Sequence, residues 1–254
     1  MIIALLTDFG LDDGFIGAVK GVIKTVNPDV DIIDISHGVT PFDILEGSII
    51  LKAVYSYFPE GTIFMCVIDP GVGTERKPII VKTEKYIFVA PDNGLLTLAL
   101  KNQKIKRIIH ITNQKYMLKR ETETFHGRDI FAPVSAYLSK GEALENFGVE
   151  IESYKKIDFP EVYVENGYMV GQIIKFDRFG NGITNLEVIP DFEEIVIRDF
   201  SIKKICRTFL EGDRDKPNVI KGSFGFYEVF LPEGSAKDIF RLKIGEKVKI
   251  KLKR

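Results

Sequence analysis

The chain has 254 residues, which is enough for one large domain or two smaller ones with a buried core. Its formal net charge of -1 argues against broad electrostatic binding to nucleic acid or to an anionic membrane, and no apolar run is long enough to predict a membrane span. Cys66 and Cys206 stand far apart without a paired motif, so neither a disulfide framework nor a zinc site is expected. We therefore expect a cytoplasmic protein whose partner is a small molecule.

The first half of the chain alternates strand patterns with helix patterns. Residues 2–6 form an apolar run typical of a buried strand, and helical spacing follows over Phe15–Val26. A second strand is predicted over residues 30–35, and a second helix from a capping Thr40 to about Tyr57. This alternation predicts a mainly parallel sheet with helices on both faces.

The third predicted strand ends in a carboxylate, Asp69, and a glycine-bearing loop then leads to Arg76. Asp8 follows the first strand in the same way, so both acids are expected at the carboxyl edge of the sheet, where open α/β folds place their ligands. Two such acids can chelate a metal, hold a sugar diol, or divide binding from catalysis. Because no His or third acid stands at ligand spacing, we predict no metal site. A plain Asp-Pro-Gly turn remains the alternative for Asp69.

A charged loop around His126 precedes an apolar helix predicted over residues 130–138. A loop histidine at a helix start is a candidate general base, because its imidazole changes charge near neutral pH. The alternative is a helix-capping loop in which Arg128 and Asp129 pair on the surface. His37 is expected to be an ordinary turn residue.

The second half of the chain changes character. Residues 1–152 are predicted to form the α/β domain, and the polar, acidic residues 153–166 are predicted to form a linker. Short strand patterns then predict a smaller antiparallel β-barrel domain over residues 167–254. Among its predicted strands, residues 195–202 read as one strand, and the lysine-alternating residues 247–252 read as an edge strand.

Five motifs occur in one order along nearly the whole chain: Thr7-Asp8-Phe9-Gly10, Asp69-Pro70-Gly71-Val72-Gly73, Ala90-Pro91-Asp92-Asn93-Gly94-Leu95-Leu96, Phe125-His126-Gly127-Arg128-Asp129 and Asp177-Arg178-Phe179-Gly180-Asn181. Together they resemble the S-adenosyl-L-methionine (SAM) hydroxide adenosyltransferases, which are related to fluorinase and chlorinase. The resemblance implies an N-terminal α/β domain, a C-terminal β-barrel and a homotrimer with active sites between neighbouring subunits. It also implies hydrolysis of SAM to adenosine and L-methionine by attack of an activated water at C5′, with no cofactor.

The resemblance also assigns roles to individual residues. The set that activates water corresponds to Asp69, Arg76 and His126. The Asp69–Arg76 pair, together with His126, is expected to accept the proton of that water. The residues expected to bind substrate are Asp8 at the ribose hydroxyls, Asp13 in the same loop, Phe42 beside the sugar, Asp177 and Ser223 at the methionine part, and Asn181 and Phe209 at the adenine. One position departs from the pattern, because Phe224 stands where fluorinase has an arginine for the methionine carboxylate.

Two other functions remain open at this point. In a non-catalytic adenosine- or SAM-binding protein, the same acids would hold the ligand, and Asp69, Arg76 and His126 would form a structural ion network. A SAM-dependent halogenase is disfavoured, because a carboxylate about 4 Å from a chloride costs several kcal/mol at a protein-like dielectric. The halide-using relatives also carry a small hydroxyl residue where Gly127 stands.

Overall fold

The structure is a computed structural model that describes residues 1–253. The chain divides into two compact units, Met1–Ile157 and Asp158–Arg254, so the division falls inside the predicted linker. None of the helices in the described residues is long and apolar enough to cross a membrane.

Unit 1 is built on a seven-stranded sheet. Its strands are β1 (Ile2–Thr7), β2 (Asp31–Ser36), β3 (Ile63–Val67), β4 (Pro78–Thr83), β5 (Ile87–Pro91), β6 (Ile105–Ile111) and β7 (Gly148–Glu150). Their order in the sheet is β2-β1-β3-β5-β4-β6-β7. The neighbours among β2, β1, β3 and β5 are parallel, whereas β4, β6 and β7 join through antiparallel pairings. The predicted α/β class is therefore confirmed.

Helices cover both faces of this sheet. They are α1 (Phe15–Val26), α2 (Ile44–Val54), α3 (Thr97–Leu100) and α4 (Ala132–Ser139). Successive side chains of β1 point to opposite faces, so that Leu5 packs in a core with residues of α1 and α4, and Leu6 packs in a core with residues of α2 and α3. Because both faces are buried, the central strands are continuous apolar runs.

The start of α2 differs from the prediction. The helix begins at Ile44, and the cap is Asp43, whose carboxylate accepts a hydrogen bond of 2.9 Å from the Glu46 amide. Thr40 cannot cap the same helix because Phe42 lies between them in the left-handed region, with φ of 69°. The predicted start at Thr40 is therefore wrong.

Much of the predicted linker is tied to one unit or the other. The amide of Lys155 donates to Asp92 at 2.7 Å, and the amide of Ile157 donates to the Thr97 hydroxyl at 3.0 Å. Farther along, Tyr163–Glu165 forms strand β8, which pairs with the first long strand of unit 2. These contacts satisfy backbone groups that a free tether would leave to water.

Unit 2 is an eight-stranded antiparallel sheet around its own apolar core. Besides β8, its strands are β9 (Tyr168–Phe176), β10 (Gly182–Thr184), β11 (Phe192–Ile197), β12 (Phe200–Ile202), β13 (Asn218–Lys221), β14 (Tyr227–Phe230) and β15 (Lys247–Leu252), with a short helix α5 (Ala236–Ile239). Their order is β12-β11-β15-β9-β10-β14-β13, with β8 beside β9. The predicted barrel-like antiparallel domain is confirmed.

Two local predictions in unit 2 are wrong. Residues 195–202 are not one strand, because the chain turns at Arg198, with φ of 52°, and β11 pairs with β12 as a hairpin. β15 is not an edge strand, because it lies between β11 and β9. Its lysines face solvent, while Val248 and Ile250 are buried, so the alternation marks the two faces of an internal strand.

The close approach of Gly94 to Ile157 gives the first prediction. Gly94 has φ of 98°, and a Cβ there would overlap the Ile157 side chain and lie 2.8 Å from its amide nitrogen. Gly141 has φ of 86° but open space around it, so Gly141→Ala measures the backbone strain alone. We expect Gly94→Ala to lower the free energy of unfolding by about 1–3 kcal/mol more than Gly141→Ala, as measured by urea denaturation. Equal losses would contradict a packing role for this contact.

Candidate active site

The carboxyl ends of β1 and β3 bring two acids together. These strands are parallel neighbours, with Thr7 paired to Val67, and Asp8 and Asp69 follow them. The pKa of Asp8 is raised, first by burial and further by the negative charge of Asp69. The predicted placement of polar groups at this edge is therefore what the sheet topology produces.

Asp69 and Arg76 form a buried ion pair. The Arg76 Nε lies 3.0 and 2.9 Å from the two Asp69 carboxylate oxygens, and Nη2 lies 2.5 Å from Oδ2. The two side chains are 5% and 6% exposed. The guanidinium carbon also lies 5.4 Å from the ring centre of Phe131, which is buried. The Asp69 carboxylate and the Phe131 ring together fix the position and orientation of the guanidinium.

His126 joins this pair and also contacts an acid that the sequence analysis missed. Its Nδ1 lies 2.6 Å from Arg76 Nη2, and its Nε2 lies 2.7 Å from Glu123 Oε2. Because a guanidinium can only donate, Nδ1 must accept, which places the ring proton on Nε2 for donation to Glu123. The hydrogen bond from His126 lowers the pKa of Glu123. The sequence feature that could have indicated this contact is the position of Glu123, an acid three residues before His126 in the same loop.

One hydrogen-bond donor of Arg76 has no partner in the described residues. Nη1 is buried and has no hydrogen-bond partner among residues 1–253. Buried donors are nearly always paired, so the unpaired Nη1 indicates a place for a ligand or water oxygen next to Arg76. Asp69 Oδ1 accepts one contact from Arg76 and retains capacity for another donor. A water that donates to this oxygen would be polarised by the carboxylate.

Two glycines allow the loops of this site to approach each other. Gly73 has φ of 76°, and a Cβ there would lie 2.9 Å from the carbonyl oxygen of Glu123. A Cβ on Gly127 would lie 2.9 Å from the ring of Phe9. Gly127 opens a π-helical turn, Gly127–Phe131, that leads into α4 and follows His126 directly. The glycines of both motifs are thus required by packing.

A second set of polar contacts, centred on His37, stabilises the loop that carries Asp8. The Thr7 hydroxyl lies 2.8 Å from His37 Nδ1, and His37 Nε2 lies 3.0 Å from Asp34 Oδ1. The Gly10 amide also donates to the His37 carbonyl at 2.8 Å. His37, expected to be an ordinary turn residue, is buried and holds this loop against β2.

Phe42 is held next to Asp8 in a strained conformation. Its amide donates to Asp8 Oδ2 at 2.9 Å, its φ is 69°, and its side chain is 69% exposed. Such a backbone costs about 1–3 kcal/mol in a residue other than glycine and is often found at functional sites. Asp13 lies in the exposed loop before α1. The structure therefore brings Phe42 to Asp8 by a direct contact.

The predicted substrate residues of unit 2 lie in three segments. Asp177 and Asn181 form one turn, in which Asp177 Oδ2 accepts from Asn181 Nδ2 at 2.9 Å. Ser223 lies in the turn between β13 and β14, next to the exposed Phe224. Phe209 begins a short 3₁₀ turn and packs edge-on against Phe230, with ring centres 5.0 Å apart.

Comparisons with known proteins agree across the whole chain. The family model for the SAM hydroxide adenosyltransferase N-terminal domain matches residues 3–148, and that for the C-terminal domain matches residues 171–249. A protein of Thermus thermophilus named (R)-S-adenosyl-L-methionine hydrolase is 34% identical over 254 residues, which cover 96% of this chain and 97% of that protein. One of the same name from Methanocaldococcus jannaschii is 41% identical over 191 residues, covering 73% and 67%.

More distant and structural relatives complete the comparison. A fluorinase of Nocardia brasiliensis is 29% identical over 213 residues, covering 73% of this chain and 71% of the fluorinase. The crystal structure of an uncharacterized conserved protein from Thermotoga maritima superposes with a TM-score of 0.88 at 37% identity, covering 98% of this chain and 99% of that one. The chain therefore belongs to the SAM hydroxide adenosyltransferase family, as its five motifs predict.

Proposed function

We propose that this protein hydrolyses SAM to adenosine and L-methionine. The observation that carries the proposal is the buried Asp69–Arg76 pair with the unpaired Nη1 donor of Arg76 beside it. The family membership and the hydrolase names of the relatives support the same reaction. Asp8 and Phe42 are the residues we propose for the ribose.

The reaction needs few chemical groups because methionine is a good leaving group. As the water oxygen bonds to C5′, the C5′–S bond breaks and its electron pair goes to sulfur, which leaves as a neutral thioether. The water proton passes to the Asp69 carboxylate and then to solvent. Alignment of water behind C5′ in a dry site can supply roughly 7–11 kcal/mol of the barrier reduction.

We propose separate roles for the three motif residues on the basis of their contacts. Both nitrogens of His126 already have partners, so we assign the proton transfer to Asp69 alone rather than to the pair together with His126. His126 then positions Arg76 through its Nδ1 lone pair, and Glu123 maintains that tautomer. In this arrangement Arg76 holds the Asp69 carboxylate in place while the water proton is transferred to it.

The names of the relatives refine the substrate. In (R)-S-adenosyl-L-methionine the descriptor L already defines the amino acid, so R describes the sulfonium sulfur. We propose that this protein also acts on the R epimer. Because attack at C5′ is opposite the sulfur, the epimers differ in where the methionine chain points rather than in the reacting carbon.

Halide transfer and simple binding are the competing functions. A bare halide at the water position would face the Asp69 carboxylate at low dielectric, which opposes fluorinase-like chemistry. A non-catalytic binder would keep the same ligand contacts without turnover. The homotrimer expected from the resemblance is also part of the proposal, and light scattering of the purified protein would test it.

The principal test is product formation in isotopically labelled water. Purified protein is incubated with each sulfonium epimer in H₂¹⁸O, and we expect adenosine labelled at its 5′ oxygen together with methionine, faster from the R epimer. Asp69→Asn should lower kcat by roughly 10²–10⁴-fold, because the general base is lost. Asp29→Asn, an exposed acid in the α1–β2 loop, is the matched control. Tight SAM binding without products would indicate the binding protein.

The Glu123–His126 contact gives a second prediction. Glu123→Ala removes the acceptor that holds the Nε2 proton, and we expect kcat to fall roughly tenfold with KM little changed. Glu123→Gln retains an acceptor oxygen and should restore most of kcat, which a purely electrostatic role would not allow. Glu121→Ala is the control, since Glu121 is an exposed acid in the same loop. Loss of activity in Glu123→Gln equal to that in Glu123→Ala would contradict the tautomer assignment.

The strained Phe42 gives a third prediction. Phe42→Ala and Phe42→Gly both remove the ring and should raise KM for SAM to a similar extent. Phe42→Gly also relieves the left-handed strain, so it should be about 1–2 kcal/mol more stable than Phe42→Ala in urea denaturation. Unchanged KM in both variants would argue against a role for the ring at the sugar.

A further inference from the structure

The motif of residues 90–96 has no part in the proposed mechanism, although the fold places it beside the residues that do. It begins in β5 and leads into α3. In the sheet, β5 lies between β3 and β4. The loop of residues 69–76, here called the reactive loop, runs from the end of β3 to the start of β4 and carries Asp69 and Arg76. The end of β5 therefore stands between the two ends of the reactive loop.

Two adjacent residues of this motif hydrogen-bond to the chain on either side of the reactive loop. The Asn93 side-chain nitrogen donates to the Ile68 carbonyl at 2.8 Å, immediately before the loop. The Asp92 amide donates to the Lys77 carbonyl at 2.8 Å, immediately after it. Ile68 is fully buried, so a donor to its carbonyl has to come from the protein. Residues 92 and 93 thus hold both ends of the reactive loop.

The middle of the reactive loop has little support of its own. It forms no helix or strand, and residues 72–75 are exposed. Its internal hydrogen bonds are local: the Val72 amide donates to the Asp69 carbonyl at 3.2 Å, and the Thr74 hydroxyl donates to the Gly71 carbonyl at 2.6 Å. Such bonds bend the chain without attaching it to the sheet. The attachment of the loop to the sheet therefore lies at its two ends.

Asn93 is itself held in a defined orientation. Its side-chain oxygen accepts from the Leu95 amide at 3.2 Å, while its nitrogen donates to Ile68, so both ends of the amide group have partners. The Asp92 carboxylate next to it accepts from the Lys155 amide at 2.7 Å. Leu95 is buried in the core that α2 and α3 form with the sheet. A side chain fixed in this way can determine where the carbonyl that it contacts lies.

We infer that Asn93 is a positioning residue for the activation of water by Asp69. It does not reach the water; it fixes the Ile68 carbonyl and so the direction in which the Asp69 side chain leaves the end of β3. The inference rests on the proposed function. Catalytic groups have to be held within about 0.5 Å of their productive positions, and a misplacement of about 1 Å can lower a rate 10²-fold. Loss of this bond should therefore affect turnover more than SAM binding.

The first test compares two substitutions of Asn93. Asn93→Ala removes both side-chain contacts, whereas Asn93→Asp keeps an acceptor for the Leu95 amide and loses the donor to Ile68. We expect each variant to lower kcat for SAM roughly 10–100-fold and to leave KM within about threefold. Asn102→Ala is the control, since Asn102 is an exposed asparagine between α3 and β6. Wild-type kcat in Asn93→Asp would show that only the turn contact matters and would overturn the inference.

A double-mutant cycle tests whether Asn93 acts through Asp69. The slow product formation that remains in Asp69→Asn is measured with and without Asn93→Ala. Because substitutions in residues that act as a unit are not additive, Asn93→Ala should lower this residual rate by less than about threefold. A loss of 10–100-fold in this background as well would mean that Asn93 acts on the fold or on substrate binding instead, which contradicts the inference.

A measurement without turnover separates this inference from the hydrolase proposal. The Arg76 Nε proton is donated to Asp69 within the buried pair, so we expect NMR to show it exchanging slowly with solvent. Asn93→Ala should speed this exchange about tenfold or more and leave the backbone amides of β1 unchanged.

The exchange rates decide the positioning role whatever the activity. Faster exchange at Arg76 alone, with no adenosine from the wild-type protein, would support the positioning role and reject hydrolysis. An unchanged rate at Arg76, or equal acceleration of the β1 amides, would refute the positioning role even if the wild-type protein hydrolyses SAM. Thermal unfolding of Asn93→Ala checks that the variant is folded under the assay conditions.

Discussion

The ion pair between Asp69 and Arg76 is the interaction on which the site in unit 1 depends. Burial of two charges is favourable only where their geometry and their remaining hydrogen bonds are satisfied. Here the guanidinium meets both oxygens of one carboxylate, a histidine nitrogen and an aromatic face. The donor that remains is the group whose free energy is lowered when a ligand oxygen arrives. In the proposed mechanism, the same pair therefore sets both the stability of the protein without substrate and its reactivity toward water.

The sheet explains why these residues meet although they are distant in sequence. Asp69 follows β3, Arg76 stands on the loop beyond it, and His126 precedes α4, which packs on the same face as α1. The loops can touch because Gly73 and Gly127 carry no side chain. The polar chain from Asp69 to Glu123 then extends from a buried carboxylate to one that is 56% exposed. A change of charge at the surface is thus linked to the buried pair through a series of hydrogen bonds.

Much of this arrangement could be predicted from sequence, because strand–helix alternation and the ends of apolar runs are local signals. α1 was predicted with its observed bounds, and β15 likewise. The errors arose where distant contacts decide local structure. Thr40 looks like a cap, yet the bond from Phe42 to Asp8 redirects the chain, and the lysines of β15 look like edge protection, yet β11 pairs along it. Glu123 was missed because its significance depends on its contact with His126 in three dimensions.

The internal position of β15 has a consequence for how the protein is made. In unit 2 this strand joins β11 to β9, so the two parts of the sheet remain unconnected until residues 247–252 have been synthesised. Unit 1 ends at Ile157 and has no such dependence on later strands within its own sheet. During translation unit 1 can therefore complete its core first, while the strands of unit 2 remain unpaired. A nascent chain stalled before β15 would expose those strand edges to aggregation and to proteases.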